Sequence, residues 1–205
     1  MPSRVRRDPR VARAAILDAA ADLLAAGGPG AVQVRAVAQR VGMTDAGVTH
    51  HFGSRAGLLE ALLRHGGRRL RAAIASAVAD WTDGEPDIGP LVEALASVYR
   101  AGYSELAIAL HAAGWRDEGS GMLAPLVDAV HARRGPTPDG RPPRIEDTRL
   151  AIAALHSSLA TDPIFGPLFR RSVGIDDPDA VDAQVAWWVA TLTTVLGLPP
   201  PVAGE

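Results

Sequence analysis

The residue types that most often carry catalysis or hold metal ions are few in this chain and poorly spaced for either task. No Ser-His-Asp order stands in a suitable turn, and no glycine-rich phosphate loop follows a strand. His111 lies near Asp117 and Glu118, but neighbouring polar residues on helices are usually solvated. The adjacent His50 and His51 point about 100° apart on a helix, which prevents joint chelation of one metal ion. We therefore expect no enzyme, no cofactor and no metal site.

The arginines are distributed in a way that suits binding to a polyanion. Residues 1–80 carry 12 Arg against 6 acidic residues, whereas residues 81–205 carry 9 Arg against 17 acidic residues. This asymmetry favours a nucleic-acid-binding head on an acidic body, with chance clustering of solvated charge as the alternative. A basic arm either reaches a minor groove or adds only non-specific affinity. It consists of Arg4, Arg6, Arg7 and Arg10.

Two short helical patterns separated by a tight turn indicate how such a head would be built. Residues 33–41 place apolar side chains on one face, and a second short helix follows over residues 45–51. Gly42 stands in the turn, which requires a residue tolerant of positive φ. Val48 is expected to fill the angle between the helices. The pattern is that of a helix-turn-helix, whose second helix is too short to be stable alone.

The runs ILDAAADLLAAGG and VRAVAQRVGMTDAGVTHHFGSRAGLLEALL closely resemble the DNA-binding head of the TetR family of regulators, over roughly residues 10–63. The resemblance implies an all-α protein of about nine helices. The head would span residues 1–63, and its last helix would continue from residue 54 to about residue 80. Residues 81–205 would form a helical effector-binding and dimerisation domain, after a Gly-, Pro- and Asp-rich boundary at 81–90.

The resemblance also implies contacts with double-stranded DNA. Major-groove readout is expected from Asp45, Ala46, Gly47, Thr49 and His50. Phosphate contacts are expected from Gln33, Arg35, Thr44, His51 and Arg55. Three departures weaken parts of this expectation: Thr49 replaces a usual Tyr, Gln33 caps poorly where a small hydroxyl residue is usual, and Ala46 and Gly47 offer few hydrogen bonds. We therefore expect modest direct readout and some reliance on DNA shape.

The body is rich in aromatic side chains, which commonly line small-molecule pockets. The residues expected to line an effector pocket are Tyr99, Tyr103, His111, Trp115, Met122, His156, Phe165 and Phe169. Ordinary core packing is the alternative for each of them. The effector's identity stays open.

The last helix is apolar on more than one face, which indicates burial on two sides. The resemblance implies a homodimer through helices at about 144–161 and 178–196. The interface is expected to contain Ile152, Leu155, Leu159, Val185, Trp188, Leu192 and Val195. Two heads related in this way would read half-sites roughly 34–36 Å apart, or further.

The function expected from these patterns is that of a ligand-responsive transcriptional regulator. It would act as a repressor that binds a palindromic operator and is released by a small molecule, although activation stays open. A ligand-independent or architectural DNA-binding protein is the alternative. With no cysteine and no long uncharged apolar run, the chain is expected to be cytoplasmic, without disulfides and without a membrane partner.

Overall fold

A computed structural model describes residues 8–80, 87–116, 121–137, 140–177 and 180–198. These residues form nine α-helices, with no β-strand among them, which confirms the expected all-α fold. The helices are α1 (Pro9–Ala31), α2 (Val34–Val41), α3 (Asp45–Phe52), α4 (Arg55–Asp80), α5 (Gly89–Val98), α6 (Ser104–Ala112), α7 (Ala124–His131), α8 (Ile145–Ser172) and α9 (Ala180–Leu196). A π-helical turn (Tyr99–Tyr103) joins α5 to α6.

The start of helix α1 and the break near its end both follow from the residue types at those positions. The Asp8 carboxylate accepts a hydrogen bond from the Arg10 backbone N–H at 2.8 Å, and Pro9 occupies the first helical position. Gly28 has a φ of 66°, so the helix breaks there. A single further turn runs to Ala31 before α2 begins.

Helix α8 is longer than the sequence pattern indicates. The expected helix ends near residue 161, but α8 continues through Pro163 and Pro167 to Ser172. Each proline removes one backbone hydrogen bond, so these turns depend on other contacts. One such contact is the ion pair between Arg170 and Asp162, together with a hydrogen bond from Arg170 to Gln184 of α9.

The helices pack into two compact units. The described residues of the first unit are 8–67 and 101–116, and the second unit takes the rest from residue 68 onward. The first unit contains α1–α3, the start of α4, and α6, which packs on α1. Its core includes Ile16, Leu24, Leu58, Leu62 and Leu106. The division of function expected at residue 81 stays a prediction.

The second unit packs α5, α7, α8 and α9 around its own core. The side chains that are almost fully buried there include Leu91, Leu95, Leu126, Ile152 and Leu155. None of the described helices is both long and apolar enough to cross a membrane.

Candidate nucleic-acid interface and ligand-binding unit

Helices α2 and α3 form the predicted helix-turn-helix. Gly42 ends α2 in the left-handed region, with a φ of 68°, and the Met43 N–H donates to the Ala38 carbonyl at 2.9 Å. Val37 of α2 and Val48 of α3 are both 0% exposed, and these two helices pack against each other. The turn and the apolar contact hold α3 with its opposite face in solvent.

The exposed face of α3 carries most of the residues expected to meet DNA. Five of these positions are exposed: Thr44, Asp45, Ala46, Thr49 and His50. Gly47 is half-buried beside Met43, which leaves it little contact surface. The Thr44 hydroxyl accepts a hydrogen bond from the Gly47 N–H at 3.1 Å, so Thr44 caps α3 and satisfies one amino-terminal N–H.

Two of the residues expected to contact phosphates are also engaged within the protein. Arg55 donates from Nε to the Val32 carbonyl at 2.9 Å and from Nη2 to the Pro29 carbonyl at 2.6 Å. Gln33 donates from Nε2 to the Gly30 carbonyl at 2.9 Å. Both side chains therefore hold the turn between α1 and α2, while Arg35 of α2 is exposed.

Arg13 of α1 is a structural contact that sequence reasoning missed. Its Nη1 donates to the His51 carbonyl at 2.6 Å, and its guanidinium lies 4.2 Å from the centre of the Phe52 ring. This contact joins α1 to the carboxyl end of α3, where the side chain of His51 is half-buried. No local pattern could indicate it, because the partners are 38 residues apart.

The two histidines of α3 do not converge on one point. The ring centres of His50 and His51 lie 5.7 Å apart, with the ring planes inclined by 69°. Among the described residues, no group of three or more His, Asp or Glu side chains is placed to hold a metal ion.

The residues expected to line an effector pocket have very different surroundings. In the first unit, Tyr103 is buried, Trp115 is half-buried and His111 is exposed. In the second unit, Tyr99 is buried and packs on His156, with 5.6 Å between ring centres. The other three second-unit positions are the half-buried Met122 and the exposed, mutually stacked Phe165 and Phe169.

Tyr99 and His156 form a hydrogen-bonded pair between the π-helical turn and α8. The Tyr99 hydroxyl lies within hydrogen-bonding distance of His156 Nε2. Burial raises the pKa of Tyr99 and lowers the pKa of His156 below its ordinary value of 6.5. The neutral phenol therefore donates to a neutral imidazole, which requires the His156 proton on Nδ1.

The depressed pKa of His156 predicts a loss of stability in mild acid. Below about pH 6.5 the imidazole of the unfolded chain gains a proton that the folded chain resists, so the free energy of unfolding falls as the pH falls. Thermal melts between about pH 8 and about pH 5 should show a smaller decrease in Tm for His156→Gln than for the wild type. His111→Gln, at an exposed position, should follow the wild type. An unchanged pH dependence in His156→Gln would contradict the assignment.

A cleft between α8 and α9 was not indicated by the sequence. Its volume is about 210 Å³. The residues that define it include Ser158, Thr161, Asp162, Phe169, Arg170 and Gln184. Of these, only Phe169 belongs to the expected pocket set. The polar members escaped sequence reasoning because Gln184 is on a different helix from the others.

The residues expected at a dimer interface divide into two groups. Ile152, Leu155, Leu159 and Leu192 are between 1% and 4% exposed in the single chain, so they belong to the core of the second unit. The other three are less buried: Val185 and Trp188 are half-buried, and Val195 is 62% exposed.

The arrangement of α1–α4 defines a DNA-binding protein of the helix-turn-helix class. A sequence profile for bacterial regulatory proteins of the tetR family matches residues 16–62. The chain is 32% identical over 168 residues to an HTH-type transcriptional repressor of Mycobacterium tuberculosis, covering 80% of this chain and 78% of that protein. An HTH-type transcriptional regulator of Mycobacterium bovis matches to the same extent. The chain therefore belongs to the TetR family and is a DNA-binding transcriptional regulator, as the resemblance predicted.

Proposed function

We propose that the protein is a ligand-responsive repressor that binds a palindromic operator as a homodimer in the cytoplasm and is released by a small molecule. The observation that carries the proposal is the exposed face of α3, which is held in place by the packing of α3 on α2 and by the buried Val48 side chain. The names of the two mycobacterial relatives describe a regulator and, in one case, a repressor. No catalytic role is proposed.

Specific readout is assigned to a small set of side chains on α3. Asp45 can accept a hydrogen bond from a cytosine amino group, and Thr49 and His50 offer further polar contacts to base edges. Arg35 supplies a phosphate contact from α2, and the free N–H groups at the start of α3 favour another phosphate. Arg55 and Gln33 act on DNA chiefly by holding α2 in place, since their donors already bind the carbonyls of Pro29, Gly30 and Val32.

The dimer is assigned to the exposed apolar faces of α8 and α9. Between residues 150 and 169 the only Asp, Glu, Lys or Arg is Asp162, which pairs with Arg170, and α9 carries none of these beyond Asp182. Large apolar side chains are nevertheless exposed there: Leu150, Leu168, Trp187 and Val195 are 69%, 57%, 58% and 62% exposed. Large apolar side chains exposed along two packed helices with few charges are typical of a protein–protein interface. The four buried residues of the predicted set belong to the core of the second unit.

Selection from genomic DNA tests the proposal. The purified protein is incubated with sheared DNA from its own genome across a salt series, and bound fragments are sequenced. A few fragments sharing an inverted repeat and surviving moderate salt are the expected result. Binding that is uniform across fragments and weakens steeply with salt would mean that only the electrostatic attraction to phosphates contributes to the affinity. That result would favour an architectural DNA-binding protein, the alternative function.

One variant pair sharpens this measurement. Arg35→Ala should weaken binding to every fragment by a similar factor and reduce the slope of log affinity against log salt by about 1. Arg171→Ala removes an exposed arginine of α8, in the other unit, and should leave both quantities unchanged. Equal effects of the two changes would contradict the assignment of Arg35 to the DNA surface.

A further inference from the structure

The cleft between α8 and α9 contains a charged side chain whose hydrogen-bonding capacity is only partly used. Arg170 is 8% exposed. Its Nη1 donates to Asp162 Oδ1 and to Gln184 Oε1. Within the described part of the chain, neither Nε nor Nη2 has a hydrogen-bond acceptor. Neither atom is fully buried, so both are open to solvent beside the cleft that Arg170 lines and can donate to an acceptor from outside the chain.

The backbone of α8 is shaped to make room for this group. A Cβ atom at Gly166 would lie 2.6 Å from Asp162 Cγ and 3.0 Å from Arg170 Nη1. Glycine is thus the residue that lets both side chains cross the helix surface here. Pro163 and Pro167 flank the same turn and weaken its backbone ladder. The ion pair between Asp162 and Arg170 therefore supports this turn of α8 and also lies in the lining of the cleft.

The lining of the cleft also includes the apolar side chains of Phe169 and Val173. Phe169 is 63% exposed and stacks on Phe165, with 6.0 Å between ring centres and 24° between ring planes. A cavity of about 150 Å³ is sufficient for benzene. The cleft, at about 210 Å³, therefore has room for one aromatic ring and a small polar group.

The charges of the cleft select a singly charged ligand. Asp162 already offsets the positive charge of Arg170, so a bound monoanion leaves less uncompensated charge in the cleft than a dianion, and a carboxylate can bind Nε and Nη2 side by side. We propose that this cleft binds a monocyclic aromatic carboxylate, with the carboxylate on Arg170 and the ring on Phe169. The inference rests on the proposed function, since it supplies the chemical class of the effector.

The same location connects the ligand to DNA binding. The cleft lies between the two helices assigned to the dimer surface, and Gln184 and Arg170 join those helices through one hydrogen bond. A carboxylate bound to Nε and Nη2 repositions the guanidinium whose Nη1 makes this bond. Binding therefore biases how α8 and α9 pack and, through the proposed dimer, the distance between the two heads.

Trp188 provides an optical signal for the test. Its Nε1 donates to Ser158 Oγ at 3.0 Å, and Ser158 lines the cleft. Titration of the full-length protein with benzoate should change the tryptophan emission, and Trp188→Phe should remove the change. Benzamide has the same shape without the charge, and it should bind about tenfold more weakly or worse.

Two arginine variants decide whether Arg170 is responsible. Arg170→Gln should remove the preference for benzoate over benzamide, whereas Arg171→Gln, at a side chain 64% exposed, should preserve it. Because Arg170→Gln leaves Asp162 unpaired, the double variant Asp162→Asn/Arg170→Gln provides a neutral network, and its melting temperature verifies folding. Loss of the preference in a folded double variant supports the proposal.

Several outcomes would overturn it. These are equal binding of benzoate and benzamide by the wild type, no calorimetric signal with benzoate up to about 10 mM, or unchanged benzoate affinity in Arg170→Gln. Specific operator binding is measured on the same preparations. Retained operator binding without benzoate binding refutes the ligand class alone, whereas absent operator binding refutes the proposed function.

Discussion

Replacement of Val48 by Asp is expected to unfold the helix-turn-helix and abolish specific DNA binding. Val48 is 0% exposed and lies where α3 meets α2. An unpaired carboxylate there would be desolvated, at a cost of several kcal/mol. Helix α3 has eight residues and cannot persist without this contact. We expect the free energy of unfolding of the head to fall by more than about 3 kcal/mol, measured by urea titration and circular dichroism.

The adjacent position supplies a matched control with the same introduced charge. Thr49 is exposed, so Thr49→Asp should change the free energy of unfolding by no more than about 0.5 kcal/mol. It should nevertheless lose operator binding, because it places a carboxylate in the proposed DNA surface. A Val48→Asp protein that unfolds like the wild type would contradict the buried contact. Full operator affinity in Thr49→Asp would instead contradict the groove-facing role of Thr49.

Replacement of Gly66 by Ala is expected to change stability in opposite directions in two backgrounds. A Cβ at Gly66 would lie 2.6 Å from Cδ1 of Tyr103, whose side chain is 6% exposed. Overpacking of this kind costs about 1–3 kcal/mol. In a Tyr103→Ala background the obstruction is gone, and alanine should then stabilise α4 by about 0.5–1 kcal/mol through its higher helix propensity.

Equilibrium unfolding of the wild type, the two single variants and the double variant measures both effects. A positive coupling energy between the two sites would establish the contact between α4 and the start of α6. The same destabilisation in both backgrounds would mean that Tyr103 is not the obstruction. The local geometry explains why Tyr103 cannot easily move aside. Gly102, with a φ of 89°, brings the chain against Leu24, where a Cβ would lie 3.0 Å from the Leu24 carbonyl oxygen.

The helix-turn-helix could be predicted from the sequence because its determinants are local. Gly42, the apolar positions of α2 and Val48 lie within twelve residues, and their spacing leaves one compact arrangement. The carboxyl end of α8 could not be predicted in the same way. Pro163 and Pro167 indicate a break, and the helix continues because Arg170 is bonded to Asp162 and to a residue on α9.

The roles of individual side chains at the candidate sites also depend on contacts with residues that are distant in the chain. Arg55 has the position expected for a phosphate contact, but its donors bind carbonyls 23 and 26 residues earlier in the chain. His111 and Tyr99 look equivalent as aromatic pocket residues, whereas one is exposed and the other is buried against His156. Sequence spacing identifies such candidate residues by their type. The type of a residue does not specify which distant residue it contacts in the folded protein.

The sequence by itself therefore determined the all-α class, the helix-turn-helix and the family, since each depends on periodicity, turn residues or a contiguous motif. Only the tertiary structure decided which arginines face solvent, which apolar residues of α8 and α9 form the core, and where a cleft opens. The physical reason is that burial and hydrogen bonding are properties of pairs of residues brought together by folding. Arg170 and Gln184 acquire their shared site only when α8 and α9 pack.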